Sequence, residues 1–261
     1  MSASPLVAAF MFHEVTNDPT STGLQRPGAL AYRHTPEAFT RCLNEIAAAP
    51  TPPSLVTEVE LARPSRHILL TFDDGGKSAV AVSDQLCQRG WKGHFFIVTS
   101  LIGGGTFLNE REIQTIRSSG HMIGSHSHTH PNIFRDLPFE RMVEEWRTSC
   151  DILEQLLGEP ILSASVPGGD ISQGALESAN RAGLRYLFTS EPWLRPRRVG
   201  DCWILGRFSA KGRTSPTRIH QLAQFRGWTK ALVRRRLKVW ATLALPSLYR
   251  FYVRVRTGPA D

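Results

Sequence analysis

The sequence predicts an α/β fold in which parallel strands close into a barrel. Three observations support this prediction: short apolar runs alternate with segments of helical periodicity, the alternation repeats about seven times, and helix start and stop signals separate the units. A repeated strand and helix order places the strands in parallel and the helices outside them. At about seven units, a closed barrel is favoured over an open sheet.

Seven apolar runs of strand length define the predicted sheet. Each is short and dominated by apolar residues, a pattern typical of a buried strand. The predicted strands are residues 5–12, 67–72, 94–99, 121–124, 161–166, 184–189 and 203–208.

Five segments between these strands carry apolar residues three and four positions apart, as amphipathic helices do. They are residues 36–49, 78–89, 110–119, 139–157 and 173–182. Thr35 before Pro36 predicts an N-cap, and Asn109 with Glu112 predicts a capping box. A left-handed residue is expected where helices end, and glycine stands there at Gly90, Gly120, Gly158 and Gly183.

Composition excludes several classes of protein. The sequence has no apolar run long enough to span a bilayer and no charged stretch ahead of an apolar one at its N-terminus, so we predict neither a membrane span nor a signal peptide, and a cytoplasmic location. The cysteines are far apart without C-x-x-C spacing, which predicts free thiols rather than a zinc knuckle or a disulfide scaffold. They are Cys42, Cys87, Cys150 and Cys202.

The net charge of +8 is distributed very unevenly along the chain. Residues 202–260 hold 13 Lys or Arg and no Asp or Glu, whereas residues 1–201 hold 18 basic and 22 acidic residues, a net charge of −4. We therefore predict a barrel over residues 1–215 and a basic extension over residues 216–261. Such asymmetry indicates an anionic partner, either a phosphate-bearing substrate, a membrane surface or nucleic acid. Nucleic acid is the least expected, because no helix-turn-helix or RNA-binding signature is present.

The basic extension contains a predicted amphipathic helix. Val233, Leu237, Trp240 and Ala244 recur at helical spacing among basic residues, and Pro246 ends the pattern. The residues that follow, up to Arg256, fit either a helix or a strand. Two interpretations remain open: a helix packed on the barrel with its basic face in water, or an anchor on an anionic membrane at its inner face.

A pair of carboxylates marks the first candidate for chemistry. Asp73 and Asp74 follow the strand 67–72 and precede Gly75 and Gly76. Parallel α/β folds expose catalytic groups at the carboxyl ends of their strands. Adjacent side chains point in different directions, so one carboxylate can bind a metal while the other handles a proton. The alternative is an ordinary turn followed by a helix cap.

Three histidines within five residues follow the strand 121–124. His126 and His130 are four positions apart, so on a helical turn both can face one cation, whereas His128 would point elsewhere. The alternative is a solvated His-rich loop.

Both clusters resemble motifs of one family. T-F-D-D-G at residues 71–75 and H-S-H-T-H at residues 126–130 are similar to the T-F-D-D-G and H-[ST]-x-x-H motifs of the polysaccharide deacetylase family (NodB-homology, carbohydrate esterase 4). M-F-H-E-V at residues 11–15 also resembles its first strand. The likeness covers roughly residues 5 to 210.

The resemblance implies a distorted (β/α) barrel of seven or eight strands and a divalent metal, most commonly Zn²⁺. Asp74, His126 and His130 occupy the positions of its metal ligands, and Asp73 that of its general base. It further implies substrate contacts in the third and fourth motifs, at Pro167, Gly168 and Trp193. Three protein ligands leave one coordination position for water, whose proton a nearby carboxylate can accept.

The later motifs depart from the family pattern. Ser165 stands where the third motif has an arginine, Glu191 where the fourth has an aspartate, and Arg207 where the fifth has the histidine that acts as general acid. Two replacements for that acid are considered, His13 at the end of the first strand and, second, His128. Arg207 replaces the missing arginine if it reaches Asp73 or Glu191; otherwise it is a surface residue.

The resemblance and the charge pattern together predict hydrolysis of an N-acetyl or other acyl group on an amino sugar. With no signal peptide and a basic extension, a lipid-linked or nucleotide-linked sugar of cell-surface polysaccharide biosynthesis fits better than a secreted polymer. The alternatives are an amidase or deformylase acting on a related C–N bond, and a barrel that binds without turnover.

Overall fold

The computed structural model describes residues 4–61, 63–169 and 171–244, without the side chains of 238–244. The strands are β1 (Leu6–Phe12), β2 (Arg66–Phe72), β3 (His94–Ile97), β4 (Met122–Ser125), β5 (Ser163–Ser165), β6 (Tyr186–Phe188), β7 (Arg197–Val199), β8 (Cys202–Leu205) and β9 (Arg207–Ser209). The helices are α1 (Pro36–Ala47), α2 (Ala79–Gln88), α3 (Glu110–Ser118), α4 (Phe139–Leu157), α5 (Gln173–Arg181), α6 (Pro216–Ala223) and α7 (Trp228–Ala244).

The predicted strands and helices are confirmed to within a few residues at their ends. The N-caps are confirmed as well: Thr35 accepts a hydrogen bond from the backbone of Ala38, and Asn109 and Glu112 form both bonds of a capping box. Two short elements, β7 and α6, were not predicted. The last predicted strand is divided at Gly206, where a Cβ atom would lie 2.4 Å from the carbonyl oxygen of Glu191.

The sheet closes into a barrel through this divided strand. Strands β1 to β6 run parallel in sequential order, β8 pairs with β6, and β9 pairs with β1. Because β8 and β9 are successive halves of one segment, they join the two ends of the sheet. The result is a distorted barrel of seven parallel strand positions, with β7 antiparallel on β8. The carboxyl ends of the barrel strands therefore meet at one mouth.

Alternating strand residues fill two separate cores, as the two-residue period of a strand requires. Along β1, Ala8, Phe10 and Phe12 pack towards the helices, whereas Val7 and Ala9 belong to a smaller cluster with Phe96, Phe188 and Leu205. The smaller cluster fills the barrel interior below the mouth. It supports the side chains that stand above it.

His94 has a structural role in the barrel. His94 is fully buried, its Nε2 accepts a hydrogen bond from the backbone N–H of Val56, and its Nδ1 lies 2.9 Å from the carbonyl oxygen of Leu70. Burial lowers the pKa of His94 to about 4, so the ring is neutral at pH 7. The four cysteines are free thiols, as predicted.

The beginning of the basic extension belongs to the barrel's own core. Ile219 and Leu222 of α6 are fully buried in the larger cluster, and Trp228 is only 3% exposed, with its ring edge against Phe10. A boundary between residues 215 and 216 therefore does not separate two cores. Because its side chain is enclosed, Trp228 is not available to contact a membrane.

The predicted helix is confirmed as α7, but the residues of its predicted apolar face that the structure describes do not pack on the barrel. Its Val233 and Leu237 are 53% and 64% exposed. No helix among the described residues is both long and apolar enough to cross a bilayer. The side chain of Trp240 and residues 245–261, with Phe251, Tyr252 and the segment up to Arg256, lie outside the described part of the structure.

Candidate active site

The two clusters singled out in the sequence meet at the mouth of the barrel. Asp73 and Asp74 follow β2, and His126 follows β4, so the fold brings them to the same end. One side-chain ligand atom from each of Asp74, His126 and His130 lies within 4.8 Å of the others. Asp74 has a φ of 77°, a left-handed conformation that is uncommon outside glycine and concentrates at functional sites.

The two histidines converge by a different route from the predicted one. Residues 126–130 form a loop rather than a helical turn, with positive φ at Ser127 (64°) and His130 (53°). The Ser125 hydroxyl accepts from the Ser127 backbone, and the Ser127 hydroxyl accepts from the His130 backbone. These bonds replace the helical hydrogen bonds that four-residue spacing alone would suggest.

Glu145 on α4 holds this loop from outside, and its role was not predicted. Its carboxylate accepts hydrogen bonds from the backbone N–H groups of His128 and Thr129 and from the Thr129 hydroxyl, at 2.7 to 2.9 Å. The residue is 5% exposed and lies on the same helix face as buried Met142 and Trp146. An acid on an otherwise apolar face was the available signal, because a buried carboxylate needs such partners.

The distances between ligand atoms fit a tetrahedral metal site. His126 Nε2 lies 3.4 Å and His130 Nε2 lies 3.7 Å from Asp74 Oδ1. Ligands at about 2.0–2.2 Å from a tetrahedral zinc ion are separated by roughly 3.3–3.6 Å. His126 Nδ1 lies 2.9 Å from the carbonyl oxygen of Ser165, which fixes the ring so that Nε2 faces the cluster. These three residues therefore fit a divalent metal such as zinc.

Burial and neighbouring groups set the ionisation of the candidate metal ligands. Burial alone would raise the pKa of Asp74, but the hydrogen bond to His126 and the charges of the neighbouring imidazoles hold it well below its usual value. Burial and the charge of His126 lower the pKa of His130 to about 4. Asp74 is thus a carboxylate and His130 a neutral imidazole at pH 7, the forms that a metal requires. Burial opposes protonation of His126, but the Asp73 and Asp74 carboxylates outweigh it and raise the pKa of that ring, so a metal competes there with a proton.

Asp73 is held by a buried arginine. Arg207 donates from Nη1 to Asp73 Oδ1 at 2.7 Å and from Nη2 to Asp73 Oδ2 at 2.9 Å. Its remaining N–H groups bond to Thr71 Oγ1, Ser165 Oγ and the carbonyl oxygen of Thr189. All five guanidinium donors are therefore used, and the side chain is 0% exposed. Burial opposes ionisation of Asp73, but Arg207 and then His126 outweigh it and lower the pKa of the carboxyl.

Arg207 therefore reaches Asp73 from β9, whereas the family pattern implies an arginine in the third motif, at the end of β5. Ser165 occupies the motif position of the missing arginine, and its hydroxyl lies between Arg207 and Asp73, 2.7 Å from the guanidinium and 3.1 Å from the carboxylate. The side chain of Glu191 pairs with Arg235 of α7 instead of Arg207. The sequence had left both partners open for Arg207.

Arg207→Lys is expected to move the acidic limb of the pH profile of kcat/KM to higher pH. Lysine keeps the charge but loses the two-pronged contact, so the pKa of Asp73 rises and its carboxylate becomes protonated at pH values where the parent protein keeps it ionised. Profiles for the parent, Arg207→Lys and the surface control Arg198→Lys would measure this. An unchanged acidic limb in Arg207→Lys would show that the contact does not set the ionisation of Asp73.

Of the two candidate acids, only His13 faces the site. His13 lines the same cavity as Asp73 and Asp74, and its buried Nδ1 has no hydrogen-bond partner among the described residues. Burial lowers its pKa below 6.5 against the opposing pull of the Asp74 and Asp73 carboxylates, so the ring is neutral at pH 7. His128 does not line the cavity, and its Nδ1 lies 3.0 Å from the hydroxyl of Thr99.

A cavity of about 1010 Å³ opens above the two carboxylates. Of the predicted substrate contacts, Gly168 lines it, whereas Pro167 and Trp193 do not. Trp193 is 8% exposed because its edge packs against Gly206, and the Arg197 guanidinium lies 4.3 Å from its ring centroid. The neighbouring Pro192 lines the cavity instead.

The end of the predicted barrel segment and the start of the basic extension together supply one wall of this cavity, which the sequence did not indicate. Five cationic side chains of the segment 211–234 line it, and together they are called the cationic wall: Lys211, Arg213, Arg218, Lys230 and Arg234. Lys230 and Arg234 are four residues apart and so share one face of α7. That spacing was visible in the sequence, but it could not show that the face meets the mouth.

Comparison with known proteins agrees with these observations. Residues 61–187 match the family described as Polysaccharide deacetylase. Peptidoglycan-N-acetylglucosamine deacetylase PgdA of Listeria monocytogenes serotype 1/2a (strain 10403S) is 26% identical over 183 residues, which are 69% of this chain and 38% of that relative's length. This chain thus spans well under half of that relative.

Solved structures show the same fold. IcaB from Ammonifex degensii superposes with a TM-score of 0.69 at 18% identity, covering 85% of this chain and 98% of that one. Streptococcus pyogenes deacetylase PplD in complex with acetate gives 0.68 at 17% identity, covering 85% and 100%. The matched range, a little under half of the chain, contains both motifs found at the barrel mouth, so the chain is similar to polysaccharide deacetylases.

Proposed function

We propose that this protein is a metal-dependent hydrolase that removes an N-acyl group, in the first instance acetyl, from an amino sugar. The observation that supports this proposal is that a set of metal-ligand atoms and a separate carboxylate lie side by side at the barrel mouth. Three convergent ligand atoms belong to Asp74, His126 and His130. The separate carboxylate of Asp73 is fixed by Arg207 and lies 4.0 Å from His126 Nε2. A zinc hydrolase needs these two parts side by side.

The protein's own groups define the proton path. A divalent ion held by Asp74, His126 and His130 would supply Lewis-acid polarisation and lower the pKa of water. Asp73 accepts the proton of the attacking water, since Arg207 keeps it ionised and oriented. Of the imidazoles lining the cavity, His13 is the one outside the ligand set, so we assign proton delivery to it. Because His13 is neutral at pH 7, the proton that it passes to the leaving nitrogen is the one that Asp73 has taken from the attacking water.

The finer proposal is a substrate linked to a lipid or a nucleotide, handled at the inner face of a membrane. The excess of basic residues after position 202 supports an anionic partner. On α7, Val233 and Leu237 lie one turn apart and are exposed, and Arg236 beside them is exposed as well. Apolar and cationic residues on one exposed surface suit an anionic bilayer. The cytoplasmic location itself stays a prediction.

The membrane contact is testable with point substitutions. A truncation at Ser215 is unsuitable, because it would remove buried residues of α6. Val233→Ser/Leu237→Ser should reduce binding to anionic liposomes by about tenfold or more, because two side chains lose the apolar surface that they would insert. Co-sedimentation at low and high salt, with neutral and anionic lipid, measures this. The matched control is Leu30→Ser/Phe139→Ser, which changes exposed apolar residues elsewhere. Equal pelleting of both double variants would rule out α7 as the contact.

The reaction is tested by release of carboxylic acid from a panel of substrates. Metal-loaded full chain should release acetate from N-acetylated amino sugars, and Asp73→Asn, assayed in parallel, should do so about a hundredfold more slowly or less. Formate release from formamides, or acetate release confined to non-sugar amides, would replace the sugar assignment with an amidase or deformylase. Stoichiometric metal with no hydrolysis of any member would indicate a binding protein.

A further inference from the structure

The structure assigns to the cationic wall a second role in the same cavity: it binds a phosphoryl group carried by the amino-sugar substrate. This inference rests on the proposed function for the sugar, and it adds the site that recognises the anionic part. The wall lines the same cavity as Asp73 and Asp74, so one ligand can contact both. The basic extension is on this view part of the active site.

The wall is fixed to the barrel by specific contacts. Arg235 of α7 donates from Nε to Glu191 Oε1 at 2.8 Å and from Nη2 to the carbonyl oxygen of Gly169 at 2.6 Å. Both acceptors follow barrel strands at the mouth. Arg218 of α6 donates to the carbonyl oxygen of Gly227, which joins α6 to the start of α7. Since Trp228 is buried beside them, the wall has a defined position relative to the candidate metal site.

Among the described residues, no carboxylate forms an ion pair with a residue of the wall. In the described part of the chain, three wall residues form no hydrogen bond or ion pair through their side chains: Arg213, Lys230 and Arg234. All three line the cavity and are exposed to solvent. Within the ranges that the structure describes, the carboxylates that line the cavity are Asp73 and Asp74. Arg207 already neutralises Asp73, and Asp74 belongs to the candidate metal site. The wall is therefore a region of uncompensated positive charge at the entrance to the site.

The number and type of these groups favour phosphate over a carboxylate. A single carboxylate would be satisfied by one arginine, whereas a diphosphate offers about two charges and several acceptor oxygens to a group of cations. Arginine presents a planar set of donors that matches phosphate, and three of the five wall residues are arginines. The cavity of about 1010 Å³ also has room for a sugar and a phosphorylated group together.

Direct binding to the metal-loaded full chain tests the site. The probes are uridine diphosphate and geranyl diphosphate, which share the diphosphate and differ in its source, measured by isothermal titration calorimetry. Lys230→Gln/Arg234→Gln should raise both Kd values by about tenfold or more, because two charge-assisted contacts are lost. Arg226→Gln/Arg236→Gln removes the same charge from exposed residues outside the cavity, and its Kd values should stay within about twofold of the parent. The probe with the lower parental Kd identifies the nucleotide or the lipid source.

Parallel assays separate this site from the proposed reaction. For acetate release from a diphosphate-linked N-acetylamino sugar, the wall variant should show a KM raised by about tenfold or more, whereas Arg226→Gln/Arg236→Gln should keep the parental KM to within about twofold. Equal Kd values for the parent and both double variants, or equal losses in the two variants, would overturn the phosphate site even if deacetylation is observed. Wall-dependent diphosphate binding without acetate release from any sugar would support the site and overturn the proposed function.

Discussion

Replacing either His126 or His130 by alanine is expected to abolish stoichiometric metal binding and to lower deacetylation by about a thousandfold or more. Each imidazole is one of three ligand side chains that converge at the mouth, and a cation held by two protein ligands is bound far more weakly. Loss of the ion also removes the source of activated water. Metal content of the dialysed protein and acetate release from an N-acetylated amino sugar are the two measurements.

The chain offers a matched control in the same loop. His128 lies between the two predicted ligands but is outside the cavity lining, so His128→Ala should keep its metal and most of its activity. Any general damage to the loop would affect this variant as well. One equivalent of metal in both His126→Ala and His130→Ala would show that the ligands have been wrongly identified, whatever the activity.

The barrel was predictable because its signals are local and repeated. Each unit combines an apolar run with a periodic segment and a cap, and each signal needs only neighbouring residues, as at Thr35 and Asn109. The division of the last strand was not predictable in the same way. Gly206 must be glycine because the backbone of Glu191 passes beside it, and that approach depends on residues far away in sequence. Strand β7 has only three residues, too few for a periodic pattern.

The candidate site shows the same limit. Four site residues could be identified from the sequence by their type and by their position after strands: Asp73, Asp74, His126 and His130. The ion pair of Arg207 with Asp73 joins residues 134 positions apart, so the sequence could only offer it as one possibility. The basic face of α7 was visible from its spacing, yet periodicity reports which side chains share a face and not what that face meets. Its place beside the cavity depends on Arg235, Glu191 and the packing of Trp228.

Asp73→Asn is expected to keep the metal and to lower kcat by about a hundredfold or more. The carboxamide has nearly the shape of the carboxylate but cannot accept the proton of the attacking water, so the loss falls on the chemical step. The substitution also leaves the buried Arg207 without its counter-ion, and breaking such a pair costs about 3–5 kcal/mol of stability. Rates must therefore be normalised to the folded fraction, measured from urea unfolding at the assay temperature.

Asp74→Asn is the matched control for Asp73→Asn. Both substitutions remove one buried carboxylate from adjacent positions, so a nonspecific effect of charge would make the two variants alike. The geometry predicts that they differ, since Asp74 approaches His126 Nε2 to 3.4 Å within the ligand cluster, whereas both oxygens of Asp73 are occupied by Arg207. Asp74→Asn should lose metal and activity together, and Asp73→Asn should lose activity alone. Near-normal turnover in Asp73→Asn would remove this carboxylate from the reaction and leave its contact with Arg207 as a structural one.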